Sequence, residues 1–192
     1  MKNRILDATA RELNARGIKF TVNAVSTRLG ISKKTLYLYF TSKDALITGV
    51  IDAILMDIAN QRKTILSQDM TLAERLAAIL TVKPTRFGEL NESMLGDIRQ
   101  HYPAEWVKIE KFHCQQLAIL LELLDKGKST GDIRRINSHL AAGMLISAVG
   151  QLLEGDFLTR QNLTMADALK EITDLFLNGV LAKPNSQYGG AA

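Results

Sequence analysis

The sequence is poor in residues that cross-link or interrupt a fold. Its 192 residues include one cysteine, Cys114, and three prolines. A single cysteine cannot form an internal disulfide, which excludes a disulfide-stabilised secreted framework and fits a reducing compartment. Scarce proline, together with abundant leucine, alanine and isoleucine, favours helices along the whole chain. The composition therefore predicts an all-α fold.

Membrane segments and catalytic motifs are also missing. No apolar run reaches the roughly 18 residues that a transmembrane helix needs, and Lys2, Arg4 and Asp7 interrupt the place of a signal peptide's apolar region. We therefore expect a cytoplasmic protein with no membrane partner. The sequence has no HExxH, CxxC, GxSxG or Walker lysine motif, so it predicts no enzyme, no catalytic residue, no metal site and no cofactor.

Positive charge is concentrated in the first quarter of the chain. Residues 1–50 hold nine Lys/Arg against three Asp/Glu, a net charge of +6, whereas residues 51–192 hold fifteen against seventeen, a net charge of −2. A local basic excess is the electrostatic footprint of a nucleic-acid-binding domain. Charge alone fits a solvated basic face equally well, so the interpretation depends on the motif inside the segment.

The segment from Phe20 to Lys43 has the pattern of a helix-turn-helix. Thr21 and Ser32 are N-cap residue types, and each precedes apolar residues at helical spacing. Gly30 lies between them, where glycine closes a helix in the left-handed conformation. Two short helices joined by a glycine turn predict a DNA-binding motif whose second helix enters the major groove.

The outer face of the second helix carries residues that suit DNA. Leu36 and Phe40 are four residues apart and should point inward. Lysines in the first turn oppose the helix dipole, so they do not serve helix stability, but they can bind guanine acceptors or phosphates. Threonine and leucine suit a thymine methyl group, and tyrosine hydroxyls suit phosphates. The predicted DNA-contacting residues are Thr21, Asn23, Lys33, Lys34, Thr35, Tyr37, Leu38, Tyr39 and Lys43.

Four motifs between Ile5 and Ile51 occur together in a known family. They are an ILDAT opening helix, an RG-x-x-x-T link at residues 16–21, an LGISKKTLYLYF core at residues 29–40 and an SKDAL start to the next helix. In this combination the segment resembles the N-terminal domain of TetR-family transcriptional repressors. Tyr39 stands where the family often has histidine, and Asn23 lies near a position where the family often has an acidic residue.

Apolar spacing and the glycine and proline positions predict helices over residues 2–15, 43–63, 72–82, 85–101, 104–126, 137–153 and 165–181, with a loop at 127–134. The resemblance implies the domain division. We expect a helix-turn-helix domain at residues 1–46, a helical ligand-binding and dimerisation domain at 47–182 and a disordered tail at 183–192.

The last two predicted helices have faces that suit helix pairing. One is rich in small residues around Gly143 and Gly150, and the other carries Leu169, Ile172 and Phe176. From the residues alone, these faces serve an intramolecular core equally well. In TetR-family proteins the two C-terminal helices pair with their copies, so the resemblance implies a homodimer. Paired recognition helices would read a roughly palindromic operator in double-stranded DNA.

The resemblance also implies a pocket for a small-molecule effector among the middle helices. The residues that we expect to line it are apolar or weakly polar, with no obvious charged anchor, which favours a small apolar ligand. Each residue also fits an ordinary core position. The candidates are Met94, Ile98, Trp106, Phe112, His113, Leu117 and Met144.

These features favour a sequence-specific transcriptional regulator, a repressor that a small apolar ligand releases from its operator. Two alternatives stay open. One is a constitutive DNA-binding protein whose C-terminal core is filled and unresponsive. The other is a helical small-molecule carrier whose basic N-terminus has lost DNA function.

Overall fold

A computed structural model of the chain describes residues 1–87, 92–152 and 157–182. These residues form ten α-helices and a short 3-10 helix at Gly17–Lys19. The α-helices are α1 (Lys2–Arg16), α2 (Val22–Leu29), α3 (Lys33–Tyr37), α4 (Lys43–Ser67), α5 (Leu72–Leu80), α6 (Glu92–His101), α7 (Pro103–Thr130), α8 (Ser138–Leu152), α9 (Phe157–Gln161) and α10 (Met165–Val180). Within the described ranges no strand forms beyond one isolated bridge between Ile133 and Leu181. The all-α prediction is confirmed.

The predicted helix-turn-helix is present with its predicted caps. Thr21 Oγ1 accepts a hydrogen bond from the Ala24 N–H over 3.1 Å, and Ser32 Oγ accepts one from the Thr35 N–H over 3.0 Å. Gly30 closes α2 in the left-handed region, at φ 65° and ψ 32°. Because each helix start and stop is satisfied by a local residue, the sequence alone specifies this segment.

Helices α1 to α4 enclose one apolar core. The inward residues of α1 and of the motif are fully buried together with the first half of α4. A buried carboxylate adds a polar tie, because Glu12 on α1 accepts a hydrogen bond from Arg28 Nε on α2 over 2.7 Å. The core continues into the rest of the chain through Phe87, Met94, Leu95, Ile98 and Trp106.

A second apolar core joins α5, the C-terminal half of α7, α8 and α10. Its most buried side chains are Leu76, Leu124 and Leu145. The last helix, α10, begins at Thr164, whose side chain accepts a hydrogen bond from the Asp167 N–H. Helix α4 reaches both cores, since Ile54 belongs to the first and Ile65 packs against the second. The proposed boundary between residues 46 and 47 lies inside α4 and stays a prediction.

The helix predicted from residue 85 begins later. Residues 85–87 are not helical, and α6 is described from Glu92. The Thr85 N–H and hydroxyl both donate to the Asp57 carboxylate on α4, over 2.7 Å and 3.0 Å to Oδ2. This side-chain acceptor competes with a helix start at Thr85 and pins the connection to α4.

The loop predicted over residues 127–134 is also shorter than expected, because α7 continues to Thr130. Helix α9 was not predicted from the sequence. The predicted tail at 183–192, and the end of the predicted helix 137–153, lie outside the described residues. Among the described helices, none is long and apolar enough to cross a membrane.

Gly127 falls in the segment predicted as a loop, but it is part of α7. It is buried inside the helix, and a Cβ atom there would lie 2.3 Å from Leu72 Cδ2 and 2.4 Å from Ile133 Cγ1. Glycine suits this position because two neighbouring segments approach the helix backbone too closely for a larger residue. Gly96 in α6 is the contrasting case, since a Cβ there meets nothing within 4 Å.

This contrast gives a stability prediction. Gly96→Ala should raise the free energy of unfolding by about 0.5–1 kcal/mol, because alanine orders more cheaply in a helix. Gly127→Ala should lower it by about 1–3 kcal/mol, because the added methyl overpacks the core. Urea unfolding of both variants at one protein concentration measures the difference. Equal stabilisation by both substitutions would show that Leu72 and Ile133 give way freely.

Candidate nucleic-acid interface and internal cavity

The segment from Lys33 to Tyr39 presents an exposed surface beside the buried Leu36 and Phe40. Lys33 and Lys34 are solvent-exposed in the first turn of α3. The next exposed residues are unusually apolar for a surface: Leu38 is 77% exposed, and Tyr37 and Tyr39 are each 45% exposed. Cationic, aromatic and aliphatic groups side by side suit phosphates and base edges together.

The remaining predicted contacts differ in how available they are. Thr21 and Asn23 are exposed at the start of α2. Thr35 is half-buried, and its hydroxyl pairs with Ser32 Oγ over 2.9 Å. Helix α3 ends at Tyr37, so Leu38 and Tyr39 lie in the turn after the helix. DNA contact by these residues stays a prediction.

Lys43 begins α4, as predicted, and makes internal contacts there. Its ammonium group donates a hydrogen bond to the Ile18 carbonyl and lies 4.9 Å from the centre of the Phe20 ring. These contacts hold the link between α1 and α2. Contact between Lys43 and a phosphate stays a prediction.

The link between α1 and α2 is docked on α6. Gly17 has φ 57° and ψ −155°, a conformation almost confined to glycine. A Cβ there would lie 2.2 Å from Asp97 Oδ2 on α6. The next residue, Ile18, donates its N–H to the same oxygen over 3.0 Å. A residue of α6 thus takes part directly in positioning the helix-turn-helix.

Two further hydrogen bonds join α4 to the start of α7. The Tyr102 hydroxyl donates to Asp44 Oδ1 over 2.8 Å, and Thr48 Oγ1 donates to Glu105 Oε1 over 2.9 Å. Burial and then the hydrogen bond to Asp44 raise the pKa of Tyr102 to about 12, so its hydroxyl stays protonated and remains a donor well into the alkaline range.

A cavity of about 460 Å³ lies between α4, α6, α7 and α10. Its size is within the range of about 300–1,000 Å³ that is typical of small-molecule sites. Most of its surface is apolar. The lining residues are Ile51, Ile54, Leu55, Ile58, Arg62, Thr81, Val82, Lys83, Pro84, Met94, Leu95, Ile98, Ile109, Phe112, His113, Gln116, Val149, Met165, Ala166, Leu169 and Lys170.

Four of the seven predicted pocket residues line this cavity: Met94, Ile98, Phe112 and His113. The structure does not place the other three on it. Trp106 is buried in the first core and donates its indole N–H to Glu110, and Leu117 packs against the second core. Met144 is 66% exposed on α8. Helical spacing identified these three as apolar but could not tell which way each faces.

The charged residues of the cavity were not predicted from the sequence. Arg62 on α4 lines the cavity, with its guanidinium carbon 5.6 Å from the centre of the Phe112 ring. Burial lowers the pKa of Arg62 to about 10, so the side chain is still charged at neutral pH. A signal was available: Arg62 follows Ile51, Ile54 and Ile58 on the apolar stripe of one helix.

The described part of the chain holds no cluster suited to a metal ion. Across the described ranges, no three or more His, Cys, Asp or Glu side chains are grouped as ligands. His113 Nε2 is paired with the Ile146 carbonyl over 2.9 Å. Cys114 is exposed.

Comparisons with known proteins agree with this architecture. The family model for bacterial regulatory proteins of the tetR family matches residues 5–50. The uncharacterised HTH-type transcriptional regulator YvaF of Bacillus subtilis (strain 168) is 29% identical over 183 residues, which cover 95% of this chain and 96% of that protein.

Solved structures show the same fold over almost the whole chain. The ketosteroid transcriptional regulator KstR2 of Mycobacterium tuberculosis superposes with a TM-score of 0.64 at 17% identity, covering 95% of each chain. The TetR-family regulator PfmR of Thermus thermophilus gives 0.65 at 21% identity, covering 91% of this chain and 97% of the other. The segment that forms the helix-turn-helix, residues 5–50, therefore matches the DNA-binding region of tetR-family regulatory proteins, and the chain as a whole is similar to an HTH-type transcriptional regulator.

Proposed function

We propose that this chain is a homodimeric repressor whose operator binding is released by a small ligand in the cavity between α4, α6, α7 and α10. The observation that carries this proposal is the double role of α6. Met94, Leu95 and Ile98 on α6 line the cavity, and Asp97 on the same helix accepts the hydrogen bond from Ile18. One rigid element thus touches both the cavity and the link that precedes α2.

The proposed release is a population shift. A ligand that fits the cavity best after α6 or α4 has moved favours that arrangement, by no more than its difference in affinity for the two states. Helix α4 supports the same route, since it lines the cavity with Ile54 and Ile58 and begins directly after the recognition segment. Moving either helix changes the direction in which α3 points.

Dimerisation gives this change its effect on DNA. Large apolar side chains are exposed along the last long helices: Leu140 and Met144 on α8 are 64% and 66% exposed, and Leu175 on α10 is 72% exposed. Exposed apolar side chains on two neighbouring helices favour burial against a second copy. In a two-fold dimer, the recognition helices would meet major grooves about 34–36 Å apart, or at a multiple of that spacing.

The two alternative functions make different demands. A constitutive DNA-binding protein does not need an apolar cavity beside the helix that positions its recognition helix. A small-molecule carrier does not need exposed lysines and a 77% exposed leucine on α3 and the following turn. The repressor proposal uses both features.

One prediction concerns DNA affinity. Lys33→Ala should raise the Kd for the selected operator about 5- to 150-fold, because a base or phosphate contact of this kind contributes about 1–3 kcal/mol. If the contact is to a phosphate, the slope of log K against log salt should also fall by about one. Fluorescence anisotropy with an operator chosen from random duplexes measures both quantities.

The matched control is Lys126→Ala, which removes an exposed lysine near the end of α7. It should leave both the Kd and the salt slope as in the wild type. Equal losses for the two variants would mean that only overall charge matters, and no loss for Lys33→Ala would remove this residue from the interface.

Another prediction concerns assembly. Met144→Glu should convert the dimer to monomers at micromolar concentration, because it buries a charge in an apolar interface. The monomers should bind the operator more weakly than the dimer does, since each monomer contacts only one half-site. Sedimentation velocity and operator titration measure the two effects.

Met56→Glu is the control, because Met56 is 65% exposed on α4, a helix that carries none of the three exposed apolar residues of the proposed interface. This variant should stay dimeric. A Met144→Glu protein that still sediments as a dimer would place the interface elsewhere, and a wild type that is monomeric at every concentration would refute the dimer.

A further inference from the structure

We propose that the cavity binds an amphipathic monocarboxylate, with the carboxylate paired to Arg62 and the hydrocarbon body among the apolar residues of α4, α6 and α7. This inference rests on the proposed function, in which the cavity is the effector site, and it refines the expectation of a purely apolar ligand.

The charge of the cavity wall is one-sided. Three lining residues are cationic, namely Arg62, Lys83 and Lys170, and none of the described lining residues is acidic. Lys83 and Lys170 are exposed to solvent, whereas Arg62 is half-buried and its charge is screened least. A positive field of this kind concentrates anions and repels cations. The wall therefore selects against cationic ligands and favours a negative group.

Arg62 is the group that an anion would satisfy. Its Nη1 is buried and has no hydrogen-bond partner, and among the described residues no carboxylate forms an ion pair with this side chain. Its Nε donates to the Ile79 carbonyl oxygen over 3.5 Å, a distance at the outer limit of a hydrogen bond. A half-buried guanidinium without an anionic partner loses hydration that its remaining contacts do not replace, and a carboxylate matches its planar shape with two parallel hydrogen bonds.

The rest of the cavity suits a hydrocarbon. Ile54 and Ile58 on α4, Leu95 on α6, Ile109 on α7 and Leu169 on α10 surround the space with aliphatic side chains. A neutral hydrocarbon would fill this part and leave Arg62 unpaired. An amphipathic acid uses both parts of the wall in one molecule.

Gln116 limits the number of negative groups. Its side-chain nitrogen donates to the Phe112 carbonyl over 3.1 Å, and its buried Oε1 has no partner. This free acceptor suits a ligand hydroxyl, and it would repel a second anionic group on the ligand. Of the two lining side chains with a buried unpaired atom, Arg62 thus suits one carboxylate and Gln116 suits a hydroxyl, while Lys83 and Lys170 are exposed to solvent.

The test uses three probes with the same hydrocarbon chain: dodecanoate, dodecanol and dodecylammonium. Each is titrated against the full-length protein by calorimetry below its critical micelle concentration, and its effect on the bound operator is followed by anisotropy. Dodecanoate should bind at least tenfold more tightly than either of the other two and should release the operator.

Variants of Arg62 assign the preference to this side chain. Arg62→Met keeps the length and apolar stem without the charge, and it should bind dodecanoate and dodecanol with similar Kd values. Arg62→Lys restores a charge without the bidentate geometry and should recover part of the preference. Lys63→Met removes the neighbouring exposed lysine and should keep the wild-type preference. Circular dichroism and thermal unfolding check that each variant is folded.

The outcomes separate this inference from the proposed function. Equal binding of dodecanoate and dodecanol by the wild type, or binding of none of the probes, overturns the anionic ligand. If dodecanol alone releases the operator, the cavity is an effector site for neutral ligands and only this inference fails. If dodecanoate binds through Arg62 but the operator stays bound, the ligand class holds and the release mechanism fails.

Discussion

The buried face of α4 is the constraint on which the other parts of this protein depend. Its first half completes the core under the helix-turn-helix with Ile47 and Val50, and its second half forms a wall of the cavity with Ile58 and Arg62. Since one continuous helix belongs to both places, the release that we propose would carry a shift of the cavity wall to the helix-turn-helix through α4. Asp97 on α6 adds a second, polar connection to the same helices.

The helix-turn-helix was predictable because its determinants are local. The two N-caps, the left-handed Gly30 and the inward spacing of Leu36 and Phe40 each act within a few residues. The boundaries that failed depend on distant partners. Thr85 is held by Asp57 from another helix, and Gly127 lies inside a helix at a point where Leu72 and Ile133 leave no room for a side chain. No window of sequence contains both members of these pairs.

The cavity was predictable in kind but not in detail. Periodicity selects apolar residues, and it correctly gave Met94, Ile98, Phe112 and His113, but it cannot separate a cavity wall from a packed core or an exposed face. Trp106 is instead packed in a core, and Met144 is exposed on the surface. Arg62 was missed because apolar periodicity does not select charged residues. Its place in the cavity wall is visible only in the structure.

The internal contacts of Lys43 have a practical consequence for chemical footprinting. Its ammonium group is engaged by the Ile18 carbonyl and the Phe20 ring, whereas those of Lys33 and Lys34 are on exposed side chains. An amine-reactive reagent should therefore label Lys43 slowly whether or not DNA is present. A peptide that contains all three lysines carries its own reference: loss of label at the first two, measured against the third, reports occupancy of the DNA-binding surface without a separate standard.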